Sequence, residues 1–248
     1  MKITIKTKEE IETMREGGKI LARIMKELEK IVKPGICTKE LDRVAETLIL
    51  KSGGKCSFKG YQNFPACLCT SINEEIVHGI PSERILKEGE IISLDLGIFY
   101  QGFHADMAVT LPVGEISPEV RKLIEVTKEA LKKGIEKVRP GSTFDDVGFA
   151  IQKYVASQGF KAVRDLCGHG IGRKLHEDPQ ILNFIEERSG EEIKEGMTFC
   201  LEPMATAGDW RIKQSRNKQT WETADGSLSA HFEHTILVNK TSHQILTE

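Results

Sequence analysis

The chain has 248 residues, with 35 basic and 37 acidic side chains and a formal net charge of −2. That balance gives no electrostatic footprint for nucleic acid or a membrane surface, and no apolar run reads as a signal peptide or a bilayer span. The length suits one large domain or two small ones, and the six scattered cysteines, with no Cys-x-x-Cys pair, read as reduced thiols of a cytoplasmic protein.

Thr7 and Glu10 form a capping box, and Ile11, Met14, Leu21, Ile24, Met25, Leu28 and Ile31 make one apolar stripe. This predicts a helix from about Thr7 to Val32, stopped by Pro34-Gly35. Thr38 is expected to cap a second helix, carrying Leu41, Val44, Ala45 and Leu48 and ending at Gly53-Gly54. Two β-patterned segments follow, 91–97 and 103–109, joined by Tyr100-Gln101-Gly102 as a hairpin. Pairing about a centre between 100 and 101 would set Asp95 opposite Asp106, and a looser turn would shift that register.

The same plan returns in the second half. Ser117 caps a helix with Pro118 at its first position and Leu123, Ile124, Leu131 and Ile135 inward. Its end, Glu136-Lys137-Val138-Arg139-Pro140-Gly141, nearly copies Glu29-Lys30-Ile31-Val32-Lys33-Pro34-Gly35. Ser142 or Thr143 caps the next helix, with Phe144, Val147, Ile151, Tyr154 and Val155 inward and Gly159 closing it. The duplication predicts an α+β fold with two pseudo-symmetric halves, residues 1–115 and 116–248, in one catalytic domain spanning 1–248. The site is expected between the halves.

Four strand-like segments each hold a carboxylate among apolar residues: Asp95, Asp106, Glu202 and Glu233. A lone acid at a strand end is ordinarily solvated, but four in such apolar surroundings need a cation, and no Lys or Arg lies within the four cores. A fifth segment, Gly168-His169-Gly170-Ile171-Gly172, has too much glycine for a His-Glu-x-x-His helix and lacks the Lys-Ser/Thr of a phosphate loop. Its glycines let the backbone approach something closely. Four carboxylates and one imidazole are too oxygen-rich for structural zinc. They suit two divalent ions such as Mn, Fe(II) or Co, which would acidify a water and polarise a carbonyl. His78, in Ile76-Val77-His78-Gly79-Ile80-Pro81, is ambiguous by itself.

The pieces 71–81, 168–172 through His176-Glu177-Asp178-Pro179, Glu202-Pro203-Met204 and 227–235 together resemble the type I, bacterial methionine aminopeptidases over essentially the whole chain. The resemblance implies the pita-bread fold and removal of the initiator methionine from nascent proteins. It implies that Asp95 binds one metal ion, that Asp106 and Glu233 bridge two, and that His169 and Glu202 complete the ligand set of the second ion. Glu202 would also shuttle a proton, while His78 and His176 would contact the scissile amide. Tyr61, Phe64 and Cys69 fall where that family lines its methionine pocket.

Departures from the family pattern concern that pocket. Phe58 stands where many bacterial members have Cys, Leu175 precedes His176 where Phe is usual, and Leu166 stands where an aromatic is common. The family's pocket Trp falls near Gln219, and Trp221, two residues later, is taken as its substitute. An Xaa-Pro aminopeptidase or prolidase is the first rival, although such enzymes carry an added N-terminal domain. A non-catalytic pita-bread binding module is the second, although it should lack one or more of the five ligands. The substrate partner implied is the N-terminal methionine of a nascent polypeptide, met by a monomer. A transient ribosome contact would fit, but no polybasic extension supports it.

Overall fold

The computed structural model describes residues 3–185 and 190–248. Helices α1 (Lys8–Ile31) and α2 (Thr38–Lys51) precede strands β1 (Lys55–Cys56), β2 (Leu68–Ile72), β3 (Glu75–Val77), β4 (Ile91–Tyr100) and β5 (Phe103–Pro112). Helices α3 (Pro118–Ile135) and α4 (Phe144–Ser157) open the second half. They are followed by β6 (Lys161–Ala162), β7 (Cys167–Gly170), β8 (Glu177–Leu182), β9 (Thr198–Leu201) and β10 (Met204–Thr206). The chain then forms β11 (Ile212–Gln214), β12 (Trp221–Thr223), β13 (Ser229–His231), β14 (Glu233–Val238) and β15 (His243–Ile245).

The capping box of α1 is formed as expected: Thr7 Oγ1 accepts from Glu10 N at 3.3 Å, and Glu10 Oε2 accepts from Thr7 N at 2.8 Å. Of the two candidates for α4, Thr143 is the cap. Thr38 is not a cap. It is the first residue of α2, with Cys37 at the cap position, because its hydroxyl donates to Ser82 O at 3.0 Å and accepts from Ser82 N at 2.9 Å.

A nine-stranded sheet runs β1-β4-β5-β14-β9-β7-β8, with β2 also along β4 and β15 along β14. Alternation along these strands sorts the molecule into a covered face and a site face. On the covered face, Leu94 and Leu96 of β4 and Met107 of β5 pack under α1 and α2 with Leu21, Met25 and Leu41. Phe199 and Leu201 of β9 and Ile236 and Val238 of β14 pack under α3 and α4 with Leu131, Val147 and Ile151. Residues out of step with these, including Asp95, Asp106 and Glu233, fall on the other face.

The β4–β5 hairpin turns on Gln101-Gly102, with Tyr100 opposite Phe103, so Asp95 lies opposite Ala108 and Asp106 opposite Gly97. The expected register is thus off by two residues. Since side chains repeat every two residues, the shift keeps both acids on one face, in diagonal positions.

The cysteines also depart from expectation: Cys56 and Cys67 form a disulfide. β1 and β2 pair in succession along one edge of β4, Cys56 opposite Ile98 and Leu68 opposite Leu96, which brings the two Cα atoms to 5.1 Å. That is within disulfide reach, and only the pairing, not the spacing in sequence, creates it. Cys37, Cys69, Cys167 and Cys200 are free thiols. Among the described residues no helix is long and apolar enough to cross a membrane.

Candidate metal centre

Each acid is delivered by a different strand. Asp95 and Asp106 come from the hairpin, Glu233 opens β14 opposite Ala108, and Glu202 follows the last residue of β9. Thr235 fixes β14 to β5 beside them: its hydroxyl accepts from Asp106 N at 2.9 Å and donates to Asp106 O at 2.8 Å. His169 arrives on β7, where glycine lets neighbouring backbones approach. A Cβ on Gly168 would sit 2.3 Å from Cys200 O, and one on Gly170 2.1 Å from Asp178 O. The close approach predicted for these glycines is therefore to the chain's own backbone, and its effect is to aim His169 at the acids.

Asp95, Asp106 and Glu233 are 8%, 3% and 3% exposed, and their donor oxygens lie within 4.8 Å of one another. Asp95 Oδ1, Asp106 Oδ1 and Glu233 Oε1 are buried with no hydrogen-bond partner, and among the described residues no Lys or Arg pairs with any of the four acids. Burial pushes the Asp95 carboxyl up to about 7. Burial, and then the charges of Glu233 and Asp95, push Asp106 well above the carboxylate range. Glu202 and Glu233 are raised in the same direction, first by burial and then by neighbouring acids. Such a cluster is unstable as anions unless a cation is among them.

His169 completes the argument. Its Nδ1 is 2.9 Å from Gly170 O, and since a carbonyl only accepts, Nδ1 carries the proton. Nε2 is then a bare lone pair, 3.6 Å from the carboxylate oxygen Glu202 Oε1. Burial lowers His169 to about 3, so it stays neutral. Two lone pairs facing across that gap are the arrangement a metal ion resolves. Cys200 also lies within 4.8 Å reach of His169 and Glu233, but its thiol contacts Thr235 Oγ1 at 3.6 Å, and burial keeps it protonated. Glu202, unlike Cys200, lines the cavity. The donor set fits divalent cations.

All five donors lie at the foot of a cavity of about 820 Å³, which His78, His176, Phe58, Tyr61, Phe64, Cys69 and Leu175 also line. Trp221 does not line it, which corrects its assignment to the pocket. In β12 it pairs with Val77 and Gln214 and packs into a separate cluster with Ile76, Val163 and Met204. Gln219 lines the cavity in its place, its Nε2 donating to Gln62 O at 3.2 Å. His78 holds φ +57, locked by Thr220 Oγ1 donating to its carbonyl at 3.0 Å. Burial, then the neighbouring His176, lower it to about 4, and burial lowers His176 too.

Two site features escaped the sequence reading. Lys6 is buried, with Nζ 2.7 Å from Glu177 Oε2, and Glu177 Oε1 accepts from Lys174 N at 3.1 Å, bracing the turn that carries Leu175 and His176. Nothing in the sequence marks this lysine as buried. His231 is 1% exposed, with neither ring nitrogen hydrogen-bonded and Nε2 3.9 Å from Glu202 Oε2. Its signal was available: it is two residues from Glu233, within a motif already singled out.

An antiparallel sheet covered by helices on one face, with buried and partnerless oxygen donors at the foot of a cavity on the other, defines a metal-dependent hydrolase of the pita-bread fold. The chain belongs to metallopeptidase family M24, whose profile matches residues 12–240. It is 48% identical over 245 residues to methionine aminopeptidase 1 of Bacillus subtilis (strain 168), covering 99% of both chains. It is 43% identical to the solved methionine aminopeptidase of Thermotoga maritima, with a TM-score of 0.97 and 100% of each chain covered. The prolidase of Pyrococcus horikoshii OT3, at 23% identity, shares the fold with a TM-score of 0.78, covering 98% of this chain and 63% of that one.

Proposed function

We propose that the chain is a cytoplasmic, monomeric peptidase that removes the initiator methionine from nascent polypeptides, meeting them at or near the ribosome. The observation that carries this reading is a buried acid cluster, three of its oxygens without a hydrogen-bond partner, lining a cavity walled by Phe58, Phe64, Cys69 and Leu175. An apolar, sulfur-bearing wall suits an unbranched thioether side chain. Identity near one half with methionine aminopeptidases over the full length supports the same substrate, whereas likeness to prolidases extends to the fold alone. The two halves, 1–115 and 116–248, would act as one catalytic domain, because donors come from both.

Asp95 would hold one ion, Asp106 and Glu233 would be shared between two, and His169 and Glu202 would hold the second, with Mn, Fe(II) and Co as candidates. Divalent cations bound there supply Lewis acidity, which acidifies a water and polarises a carbonyl. The protein's own groups supply the rest. Glu202 takes the proton of the attacking water at its carboxylate and returns it to the leaving amine. His78 and His176, kept neutral by burial, face the scissile amide and donate hydrogen bonds to its oxygen as charge develops. The cavity walls exclude bulk water and hold the methionine side chain.

Metal-stripped protein should be inactive on Met-Ala-Ser and recover on adding Mn, Fe(II), Co or Zn separately. Asp106→Asn should abolish tight cation binding in calorimetry together with turnover. Activity of the chelated protein, or a preference for Met-Pro-Ser, would overturn the reading.

A further inference from the structure

One wall of the cavity is a loop, 57–66, whose geometry is fixed from both ends. β1 and β2 anchor it on β4, and the Cys56–Cys67 bridge ties its base. Inside it, Gly60 N donates to Phe64 O at 2.8 Å, Tyr61 N to Phe58 O at 2.9 Å, and Phe64 N to Tyr61 O at 2.8 Å. Gln62 and Asn63 hold φ +46 and +64, a left-handed pair that persists only where its surroundings over-determine it. Gln219 Nε2 supplies one such restraint on Gln62 O. The loop therefore carries Tyr61 at a set position and angle.

That position is against His176. The Tyr61 hydroxyl lies 2.9 Å from His176 Nδ1, with the rings edge-on at 5.1 Å and 78°. On its other side the His176 ring meets His169 edge-on, centroids 4.2 Å apart. With Nδ1 engaged by Tyr61, Nε2 is the nitrogen left for a substrate. A neutral imidazole has one N–H, so the direction of the Tyr61 bond decides what Nε2 can do. If Nδ1–H donated to the phenol, Nε2 would present a lone pair to the substrate's carbonyl oxygen, which is repulsive. If the phenol donates, Nε2–H is a donor aimed at the place where negative charge develops.

We propose that Tyr61 is a positioning residue for the peptidase reaction: its hydroxyl donates to His176 Nδ1 and so fixes both the ring orientation and the Nε2–H tautomer that faces the substrate. This rests on the peptidase reading above only for its kinetic consequence. The tautomer itself is a property of the chain.

The test has two arms. In protein labelled with [15N]histidine and loaded with diamagnetic Zn, two-bond 1H–15N correlations at pH 8, assigned by loss in His176→Asn, should give the Nε2–H tautomer for His176. Tyr61→Phe should shift it toward a mixture. Kinetically, Tyr61→Phe keeps the ring in the pocket, so KM for Met-Ala-Ser should hold while kcat falls about 10-fold, the worth of one hydrogen bond. In a His176→Asn background the same change should cost nothing further, because Tyr61 acts only through His176. An Nδ1–H tautomer in the wild type overturns the proposal, and so does an equal loss from Tyr61→Phe in both backgrounds. If no cation gives activity on methionyl peptides, the peptidase reading fails and the spectroscopic arm alone decides the tautomer.

Discussion

His78 sits in the left-handed region at φ +57, where a non-glycine residue is held only by its neighbours, and its imidazole lines the cavity without belonging to the donor cluster. His78→Ala should therefore leave cation stoichiometry unchanged in calorimetry while kcat falls by about 10²–10³, as for loss of an oxyanion donor. A drop in stoichiometry would move His78 into the ion shell. Leu175, 3% exposed, lines the pocket at the position where the resemblance in sequence led to the expectation of phenylalanine, and Trp221 lies in a separate cluster. Leu175→Phe should narrow the pocket and raise the ratio of kcat/KM for Met-Ala-Ser over Leu-Ala-Ser by about 10-fold, the scale of one methylene or more in an apolar pocket. No change in that ratio would mean that Phe58 already fills the space. At this scale the acids stood out as candidates because a charge in an apolar run contradicts its surroundings, and His169 because three glycines surround it. Trp221 was misassigned because a residue offset by two in a loop-flanked strand gives no sign of which side cluster it joins. Lys6 was missed because long basic side chains near a terminus are ordinarily solvated.

Among the elements, the contact between β5 and β14 is the one on which the site depends, and the Thr235 hydroxyl extends the strand pairing there with two further bonds. Thr235→Val keeps the shape but strands the buried N–H and C=O of Asp106. Urea denaturation should register a loss of about 3 kcal/mol, the combined penalty for two unsatisfied groups, with weaker cation binding in parallel. Unaltered stability would mean that strand pairing and apolar packing hold β14 without the hydroxyl. The four helices and both principal capping residues, Thr7 and Ser117, could be read from the sequence, since stripes and caps are local signals. The hairpin register, the Thr38 hydroxyl bond to Ser82 and the Cys56–Cys67 bridge could not. The register turns on a one-residue difference in where the hairpin reverses, and the other two are decided by partners distant in sequence: a loop more than forty residues away, and an edge of β4 shared by two short strands.

For the whole molecule, the donors run from residue 95 to residue 233, so cation binding and folding are one equilibrium. In chelated protein the Asp95 carboxyl is raised to about 7 against about 3.9 for an unfolded chain. Between those values the native state keeps the Asp95 proton that the unfolded state has lost, so this group's contribution to stability falls as pH climbs from about 4 to about 7. Asp106, Glu202 and Glu233, shifted the same way, add to that slope. The histidines that burial lowers to about 3 or 4 contribute in the opposite sense below about 6.5. A cation competes with the carboxyl protons, so the rise in urea midpoint that a saturating cation gives over chelator should grow as pH rises across this range. A cation effect independent of pH would mean that the acids are hydrated and not buried as found.

β14 stands between β5 and β9, and in the nine-stranded sheet it is where the strands of the first half meet those of the second. In the order of synthesis it comes after both of them. While this chain is itself being made, β5 and β9 must wait with unpaired edges until residues 233–238 exist, and exposed edges of that kind recruit other strands. Until then the donor set is incomplete, because Glu233 belongs to both groups of candidate ligands. The strand that brings Glu233 to the site is the same one that closes the open edges, so protection from aggregation and capacity for metal arrive together.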